Sequence, residues 1–384
     1  MRKEYLMTPG PTPVPPEVLL AQAQPMIHHR APIYTEVILA VLADLKYVFQ
    51  TKNDVIMFAS SGTGGMESAV ANCFSAGDKV LVVSIGNFGE RWAKISETYG
   101  LNVTKLDYEW GTHANPQDIA DALTADPDIK GVLATHSETS TGVVNDIEAM
   151  AAIVAKTPAI FIVDAISGLG ASDLQTDAWK VDVVVAGSQK ALMTPPGLAF
   201  VSVSDKAWQA VEKSTLPKFY FDYKKSRDAL HKEQPQSPFT PAVSTILGLA
   251  EALRMIKEEG LENVFARHHS NAAATRAGVK ALGLDLFGTE DPNAHSVTAV
   301  RAPEGVDGQA IVKAMRVDYG ITAAGGQGKV KGKIFRIGHC GYYDRFDILS
   351  CMAGLEMALS DLGVKTTPGA GVAAAEAVFE AAKK

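Results

Sequence analysis

The chain has 384 residues, of which 47% are hydrophobic and 21% charged, a composition typical of a globular protein long enough for two domains. Its formal net charge of −7 and the lack of a long basic run argue against a nucleic-acid partner. The three cysteines are scattered and form no CxxC pair, which argues against a zinc site or an iron–sulfur cluster, so we expect no bound metal.

The opening sequence and the apolar runs indicate neither export nor a membrane partner. The segment MRKEYLMTPGPTPVPPEV lacks the apolar core of a signal peptide, and no apolar run is long enough to cross a bilayer. An odd, low number of cysteines also fits a reducing compartment. We therefore predict a cytoplasmic protein.

Short apolar runs alternate with helical patterns from residue 54 onwards, after a proline-rich, irregular opening. The predicted strands lie at residues 54–59, 79–85, 102–106, 131–135 and 159–163, and the predicted helices at 64–74, 89–99, 116–123 and 147–155. The apolar runs are continuous rather than alternating, which is typical of strands covered on both faces. This order of elements predicts a mostly parallel α/β sheet.

Two more strands are predicted close together, at residues 181–186 and 198–203. The link between them contains Pro195, Pro196 and Gly197 and is too short for a crossover helix. One member of the sheet should therefore be antiparallel to the others.

The pattern changes after residue 203. Residues 213–242 are polar, aromatic and proline-containing, and they predict a long functional loop. Further helices are predicted at 242–259, 264–282, 308–318 and 346–362, further strands at 297–301 and 333–337, and a loose helix in the alanine-rich tail. We predict a large domain over residues 18–251 and a smaller α/β domain over residues 252–384 together with residues 1–17.

An aspartate and a lysine each follow one of the apolar runs. Asp164 ends the run 159–163, and Lys190 follows the run 181–186 after Gly-Ser-Gln. Taken singly, they suit a turn and a solvated strand end. The carboxyl ends of parallel strands meet at one edge of an α/β sheet, so the two side chains can share a site. There, a lysine amine can form a Schiff base with an aldehyde cofactor, and a carboxylate can keep a pyridine nitrogen protonated.

The run SSGTGGME, residues 60–67, leads into a predicted helix. Glycine and hydroxyl residues at a helix N-terminus suit a phosphate, because free N–H groups and the helix dipole point at it. The run lacks the Gly-Lys-Ser/Thr ending of a Walker A motif. Many helices begin with such capping residues, so the run alone indicates a phosphate site only weakly.

Seven motifs, in the family's order, resemble the class V, fold-type I aminotransferases, above all the alanine–glyoxylate and serine–pyruvate group. They are TPGPTPVP, SSGTGGMESAV, GNFGERW, THSETSTGV, FIVDAISGLG, VVVAGSQKALMTPPGLAF and KIFRIGHCG, and they extend over nearly the whole chain. The resemblance implies a large domain with a mostly parallel, seven-stranded type of sheet and a smaller C-terminal α/β domain. It also implies pyridoxal 5′-phosphate (PLP) as the cofactor and a homodimer whose subunits share each active site.

The resemblance assigns roles to individual residues. Lys190 would carry the cofactor with Gln189 beside it, and Asp164 would face the pyridine nitrogen. Arg336 would clamp the substrate α-carboxylate through its guanidinium fork, and Gly10 would line the substrate pocket. The other cofactor contacts implied are a phosphate-binding turn, a ring stacked on the pyridine, a hydroxyl beside it and a threonine reaching the phosphate from the partner subunit, namely Ser61, Gly62 and Thr63, then Phe88, Thr139 and Thr240.

Two further features leave alternatives open. Arg30, in a His-His-Arg trio, belongs either to a solvated cluster or to the substrate site, because phosphoserine aminotransferases use a similar pair to contact a distal phosphate. Cys340 follows the Arg336 motif, whereas the nucleophilic cysteine of cysteine desulfurases lies well before the arginine. A desulfurase or another PLP lyase is therefore disfavoured.

The predicted function is PLP-dependent transfer of an amino group from alanine or serine to glyoxylate or pyruvate by a ping-pong mechanism, with Lys190 as the general base. The first alternative is aspartate or phosphoserine as the donor, contacted by Arg30. An alternative of a different class is a non-catalytic soluble-hydrogenase-type subunit, which some relatives are named after. That alternative is disfavoured because a scaffold has no need of Lys190, Asp164 and Arg336 together.

Overall fold

The computed structural model describes residues 3–382. In that range the strands, in chain order, are β1 (Tyr5–Leu6), β2 (Asp54–Ala59), β3 (Lys79–Ser84), β4 (Asn102–Asp107), β5 (Gly131–Thr135), β6 (Ser137–Glu138), β7 (Val143–Val144), β8 (Ile160–Asp164), β9 (Val183–Gly187), β10 (Leu198–Val203), β11 (Val297–Arg301), β12 (Ile321–Thr322), β13 (Ala324–Gly325) and β14 (Ile334–Gly338). The helices are α1 (Pro16–Gln22), α2 (Pro32–Phe49), α3 (Gly62–Cys73), α4 (Asn87–Thr98), α5 (Pro116–Ala125), α6 (Ile147–Val154), α7 (Asp205–Lys213), α8 (Tyr223–Leu230), α9 (Val243–Glu259), α10 (Leu261–Ala281), α11 (Gly308–Tyr319), α12 (Arg345–Asp361) and α13 (Ala370–Ala381).

Seven strands form the main sheet, in the order β2-β10-β9-β8-β5-β3-β4. Strands β9, β8, β5, β3 and β4 pair in parallel, and β10 is antiparallel to both β9 and β2. The predictions of a mostly parallel α/β sheet and of one antiparallel member are confirmed.

The main sheet is covered by helices on both faces, as the continuous apolar runs predict. Along β3, Val80 and Val82 pack into the core formed with α3, α4 and α7, while Leu81 and Val83 pack into the core formed with α2, α5, α6 and α9. Because successive strand side chains point to opposite faces, both sets must be apolar.

The loop predicted over residues 213–242 is wrong in its middle, where α8 lies. The Asp222 side chain accepts a hydrogen bond from the Lys225 N–H at the start of this helix. The first residue of α8, Tyr223, is fully buried, and its hydroxyl lies 2.9 Å from the Ser68 hydroxyl. Tertiary burial of one aromatic ring thus helps a helix of only eight residues to form.

A second, smaller unit contains the three-stranded sheet β11-β14-β13 and helices α10 to α13. The N-terminal strand β1 joins it by pairing in parallel with β12. The alanine-rich α13 packs on α10 and α12, so the tail is a docked rather than a loose helix. Helix α9 runs through residue 251 and packs into the main-sheet core, so we propose the boundary between the two units at Gly260 instead.

Within residues 3–382, no helix combines the length and apolar character that a membrane crossing requires. In the main sheet, the carboxyl ends of β2, β3, β5, β8 and β9 lie along one edge, because these strands run in the same direction. This edge carries the residues described next.

Candidate active site

Asp164 and Lys190 lie at the carboxyl edge of the main sheet on neighbouring strands. Asp164 is the last residue of β8, and Lys190 follows β9 after Ser188 and Gln189. The two strands pair in parallel with Asp164 opposite Val185. Both side chains are buried, with Asp164 3% and Lys190 8% exposed.

The protonation of both groups is shifted towards the neutral form. Burial raises the pKa of Asp164 to about 7, although the Ile166 N–H, 2.9 Å from its Oδ1, acts in the opposite direction. Burial likewise lowers the pKa of Lys190 to about 8. Opposite shifts of an acid and a base in one buried place are typical of a catalytic site.

The N-terminal segment holds Lys190 in place. The Lys190 Nζ donates a hydrogen bond to the Pro9 carbonyl at 2.8 Å, and the Thr12 hydroxyl donates to the Lys190 carbonyl at 2.9 Å. Gly10 lies between these contacts with a φ of 149°, and a Cβ there would lie 2.4 Å from the Lys190 Cε. Only glycine fits that conformation and spacing without displacing the lysine.

The start of α3 is placed beside the same edge. Ser61 is its N-cap residue, but no side chain among the described residues caps the helix. A Cβ on Gly62 would lie 2.4 Å from the Ile166 Cδ1, two residues beyond Asp164. The Thr63 hydroxyl accepts a hydrogen bond from Arg91 Nη1 at 2.8 Å. Backbone N–H groups at this terminus and the nearby guanidinium make the turn suitable for an anion.

Arg336 is brought to the site by β14. Its side chain is buried, and its Nε and Nη2 donate to the Gly325 carbonyl at 3.0 and 2.8 Å, while Nη1 donates to the Thr139 carbonyl at 2.9 Å. A guanidinium has five N–H donors, so two of them remain beyond these three bonds within the described residues. Burial lowers its pKa to about 10, which still leaves it cationic at neutral pH.

Phe88 and Thr139 contact residues that neighbour these groups. The Phe88 ring centroid lies 4.7 Å from the guanidinium carbon of Arg91, and the Phe88 N–H donates to Glu138. The Thr139 hydroxyl lies 2.5 Å from that of Ser167, three residues beyond Asp164. These contacts involve Phe88, Thr139, Thr63 and Arg336, whereas Arg30 and Thr240 take no part in them.

Arg30 and Thr240 are exposed, and neither takes part in these contacts. The Arg30 Nη1 donates to the Gln236 side chain and, at 2.9 Å, to the Ser237 carbonyl. Gln236 and Ser237 belong to the segment that carries Thr240, so Arg30 fixes that segment rather than contacting Lys190 of its own chain.

Several polar side-chain atoms at the carboxyl edge are buried without a hydrogen-bond partner among the described residues. They are Gln189 Oε1, Thr135 Oγ1 and His136 Nδ1. Thr135 lies opposite Asp164 on the neighbouring strand, and the His136 N–H donates to the Asp164 carbonyl. Unpaired buried polar atoms are costly in a folded protein, so such a group of them suggests a bound molecule.

Sequence reasoning passed over Glu138 and Arg91 in the motifs THSETSTGV and GNFGERW. Both side chains reach site residues, Glu138 through Phe88 and Arg91 through Thr63. The available signal was a charged residue inside an otherwise small or apolar motif. The contact of Pro9 with Lys190 had no such signal, because it is made by a backbone carbonyl.

Buried histidines line the contact between the main sheet and the smaller unit. The His295 Nδ1 lies 3.2 Å from the Ala171 carbonyl, and the His339 Nδ1 donates to the His295 carbonyl at 2.9 Å. The His339 Nε2 lies 2.9 Å from the Thr298 hydroxyl, an arrangement that suits a neutral ring. Arg336 lies three residues before His339 in the same segment of the chain.

We expect acid to destabilise the protein through these histidines. Burial lowers the pKa of His136 to about 4 and that of His339 to about 3, while an unfolded histidine titrates near 6.5. Below pH 6.5 each histidine binds a proton in the unfolded state but not in the folded state. Each ring therefore lowers the free energy of unfolding by about 1.4 kcal/mol for every pH unit between 6.5 and its pKa in the folded protein. Urea unfolding at pH 7.5, 6.0 and 5.0 measures the slope.

The variant His339→Gln should reduce the slope of unfolding free energy against pH by roughly the contribution of one buried histidine. The control His113→Gln, which replaces an exposed histidine, should leave the slope unchanged. Equal slopes for wild type and His339→Gln would contradict the assignment.

Comparisons with known proteins identify similar chains over almost the full length. A family model described as aminotransferase class V matches residues 4–337. The small subunit of a soluble hydrogenase from Synechococcus sp. is 46% identical, covering 99% of each chain. An L-aspartate–glyoxylate aminotransferase from Paracoccus denitrificans is 42% identical, and a serine–glyoxylate aminotransferase from Methylorubrum extorquens is 41% identical, each covering 97% of this chain and 95% of that protein.

A solved structure shares the fold. The crystal structure of ureidoglycine–glyoxylate aminotransferase from Bacillus subtilis superimposes with a TM-score of 0.94 at 33% identity and covers 99% of each chain. Both the main sheet and the smaller unit therefore have counterparts in that structure.

Proposed function

The chain belongs to the class V aminotransferases and is an aminotransferase, and on that premise we propose that it binds PLP at Lys190 and transfers the amino group of serine or alanine to glyoxylate. The observation that carries this proposal is the buried pair of Lys190 and Asp164, whose pKa values are shifted towards neutrality at one edge of the sheet. The serine–glyoxylate activity named for the Methylorubrum relative supports the choice of substrates.

The residues present fit PLP. Lys190 supplies a buried amine for the aldehyde, Asp164 a buried acid for the ring nitrogen, and the uncapped start of α3 a set of N–H donors for the phosphate. Gln189 Oε1 and Thr135 Oγ1 are buried polar atoms still lacking a partner, as expected where a polar ring system completes the site. We propose Phe88 as the stacking ring and Thr139 as a neighbouring hydroxyl.

PLP, when bound, supplies the electron-withdrawing ring that makes the α-proton of an amino acid acidic. Asp164, next to a protonated ring nitrogen, would be held as a carboxylate, because an opposite charge favours ionisation. Arg336 would bind the substrate carboxylate with its two remaining donors and so orient the Cα–H bond. Lys190, with a pKa lowered to about 8 by burial, would take up the α-proton and return it as general base and acid.

We propose a homodimer with shared sites. Exposed apolar side chains cluster on and beside α1 and α2, including Leu20 (65% exposed), Met26 (69%) and Ile33 (53%). Such surfaces usually mark a contact with another protein. The exposed Thr240, three residues beyond the Ser237 carbonyl that Arg30 contacts, would then reach the phosphate of the partner subunit.

Aspartate is a second candidate donor. The Paracoccus relative is named an aspartate–glyoxylate aminotransferase, and Arg30 lies beside the segment of Thr240, where in a dimer it could meet a distal carboxylate of a substrate in the partner site. The hydrogenase name of the Synechococcus relative suggests a non-catalytic role instead. The complete and buried set of Lys190, Asp164 and Arg336 favours catalysis.

The test is a visible absorption spectrum of the purified protein before and after each donor. We expect a visible band that borohydride abolishes, because the cofactor's aldehyde is bonded to Lys190. L-serine or L-alanine should remove the band, and glyoxylate should restore it. A larger response to L-aspartate or L-phosphoserine would favour the second candidate, and no band after added PLP would refute the proposed binding of PLP at Lys190.

A further inference from the structure

We propose that Glu138 is a positioning residue of this site, whose buried carboxylate fixes the start of α4 with Phe88 and supplies a negative charge shared by Asp164, Lys190 and Arg336. This inference rests on the proposed function, because its meaning depends on a cofactor at Lys190. Glu138 does not contact the reacting atoms and would act through its neighbours.

Glu138 caps a helix from a distant strand. Its Oε2 accepts hydrogen bonds from the Phe88 and Gly89 N–H groups at 3.0 and 3.2 Å. Its Oε1 accepts from the Ser140 N–H at 3.1 Å and from the Ser140 hydroxyl at 2.5 Å. The N-cap residue of α4, Gly86, has no side chain with which to cap the helix. The Glu138 carboxylate therefore caps α4 in place of an N-cap side chain, and it thereby fixes the position of Phe88 in the first turn of the helix.

The close approach of the two segments is built into the chain. A Cβ on Gly86 would lie 2.4 Å from the Glu138 Cδ and 2.5 Å from the Ser140 hydroxyl. The Ser140 hydroxyl also accepts a hydrogen bond from the Asn87 N–H at 2.9 Å. Glycine at position 86 thus leaves room for the carboxylate and the hydroxyl to reach the helix.

The charge of Glu138, and not only its hydrogen bonds, acts on the site. Glu138 is fully buried, and burial raises its own pKa, while four donated hydrogen bonds favour the carboxylate form. Burial dominates the pKa of Lys190, Asp164 and Arg336, and the Glu138 charge adds an upward shift to each of them. Arg91 on α4 and Lys190 are also charged neighbours of Asp164, and both act in the opposite direction, lowering its pKa.

A neutral side chain could cap α4 without the desolvation penalty of a buried charge. Serine, threonine and asparagine are effective capping residues, whereas a buried carboxylate loses its hydration. A role for the negative charge itself explains its presence: it opposes the effect of burial on Lys190 and Arg336 and so favours their cationic forms.

The test compares Glu138→Gln with wild type in the full-length, PLP-reconstituted protein. Glutamine keeps the shape but removes the charge, so the pH midpoint of the visible band should fall by about one unit, the scale of a nearby charge in a buried site. The affinity of the apoprotein for PLP, followed by fluorescence titration, should weaken about tenfold, because Phe88 is less firmly placed. Neither measurement depends on turnover.

Asp182→Asn is the matched control. Asp182 is also a buried carboxylate and accepts hydrogen bonds from the Phe161 N–H and the Ser204 hydroxyl, both at 2.9 Å, at the opposite edge of the main sheet. We expect this variant to lose thermal stability while keeping the wild-type midpoint and PLP affinity. A shift of the midpoint in Asp182→Asn equal to that in Glu138→Gln would overturn the inference.

A milder variant covers poor folding of Glu138→Gln. Ser140→Ala removes one of the donors to Glu138 and should weaken PLP binding in the same direction by a smaller factor. The inference is overturned if Glu138→Gln titrates and binds PLP like wild type, or if it fails to fold and Ser140→Ala binds like wild type. Absence of the visible band in wild type is a different result, which would overturn the proposed function first.

Discussion

Lys190→Ala should abolish amino-group transfer, with a loss of at least about 10⁴-fold in turnover, because the variant lacks both the cofactor-bonding amine and the general base. The borohydride-sensitive band should disappear as well. The variant should still fold. Burial lowers the pKa of the Lys190 amine from 10.5 to about 8, so this amine reduces the stability of the folded protein at any pH below 10.5. That shift corresponds to about 3 kcal/mol at neutral pH, which alanine relieves in part.

The control for this experiment is Lys206→Ala. The Lys206 Nζ, like that of Lys190, donates to a backbone carbonyl, here that of Ala159, but it lies at the opposite edge of the main sheet beside Asp182. We expect turnover within a factor of about two of wild type, as for a change remote from the chemistry. Substantial transamination by Lys190→Ala would place the essential amine elsewhere.

Asp164→Asn should lower turnover on the order of 10³-fold, the scale seen when a preorganised electrostatic contact to a reacting group is removed. Asparagine keeps the size of the side chain and can still accept from the Ile166 N–H, but it cannot carry a negative charge. The loss should appear in kcat as well as in PLP affinity. Activity close to wild type would show that Asp164 is not the partner of the ring nitrogen.

The same variant should stabilise the apoprotein at alkaline pH. An acid whose folded pKa is raised from 3.8 to about 7 holds a proton that the unfolded state releases, so wild-type stability falls as the pH rises between these values. The Asp164→Asn apoprotein should therefore be more stable than wild type by up to about 4 kcal/mol above pH 7, and this gain should vanish at low pH. Urea unfolding at pH 5 and pH 8 tests the sign, and Asp182→Asn should be less stable than wild type at both.

Opposite effects on activity and stability would identify Asp164 and Lys190 as functional rather than structural groups. A buried acid and a buried base with shifted pKa values lower the stability of the empty protein. Asp182, in contrast, accepts hydrogen bonds and pairs with Lys206, so its loss should only destabilise. The comparison of Asp164→Asn with Asp182→Asn therefore distinguishes a functional buried carboxylate from a structural one in the same sheet.

The amino-acid sequence by itself determined the architecture of the main sheet and the two central residues. Continuous apolar runs can be buried on both faces only in a covered sheet, and the short link before β10 permits only an antiparallel strand. Because parallel strands end at one edge, the order of elements alone placed Asp164 beside Lys190. These features depend on residues that are close together in the chain. The sequence motifs in addition indicated the family.

The tertiary structure alone decided the contacts between distant segments. The Lys190 Nζ bonds to the Pro9 carbonyl, 181 residues away, and Arg336 bonds to the Thr139 carbonyl, 197 residues away. Glu138 reaches the start of α4 across 50 residues. The helix α8 and the separation of Arg30 from Lys190 were likewise settled by packing. Periodicity and turn chemistry act over a few residues, whereas burial and close approach bring together segments whose spacing in the chain carries no signal.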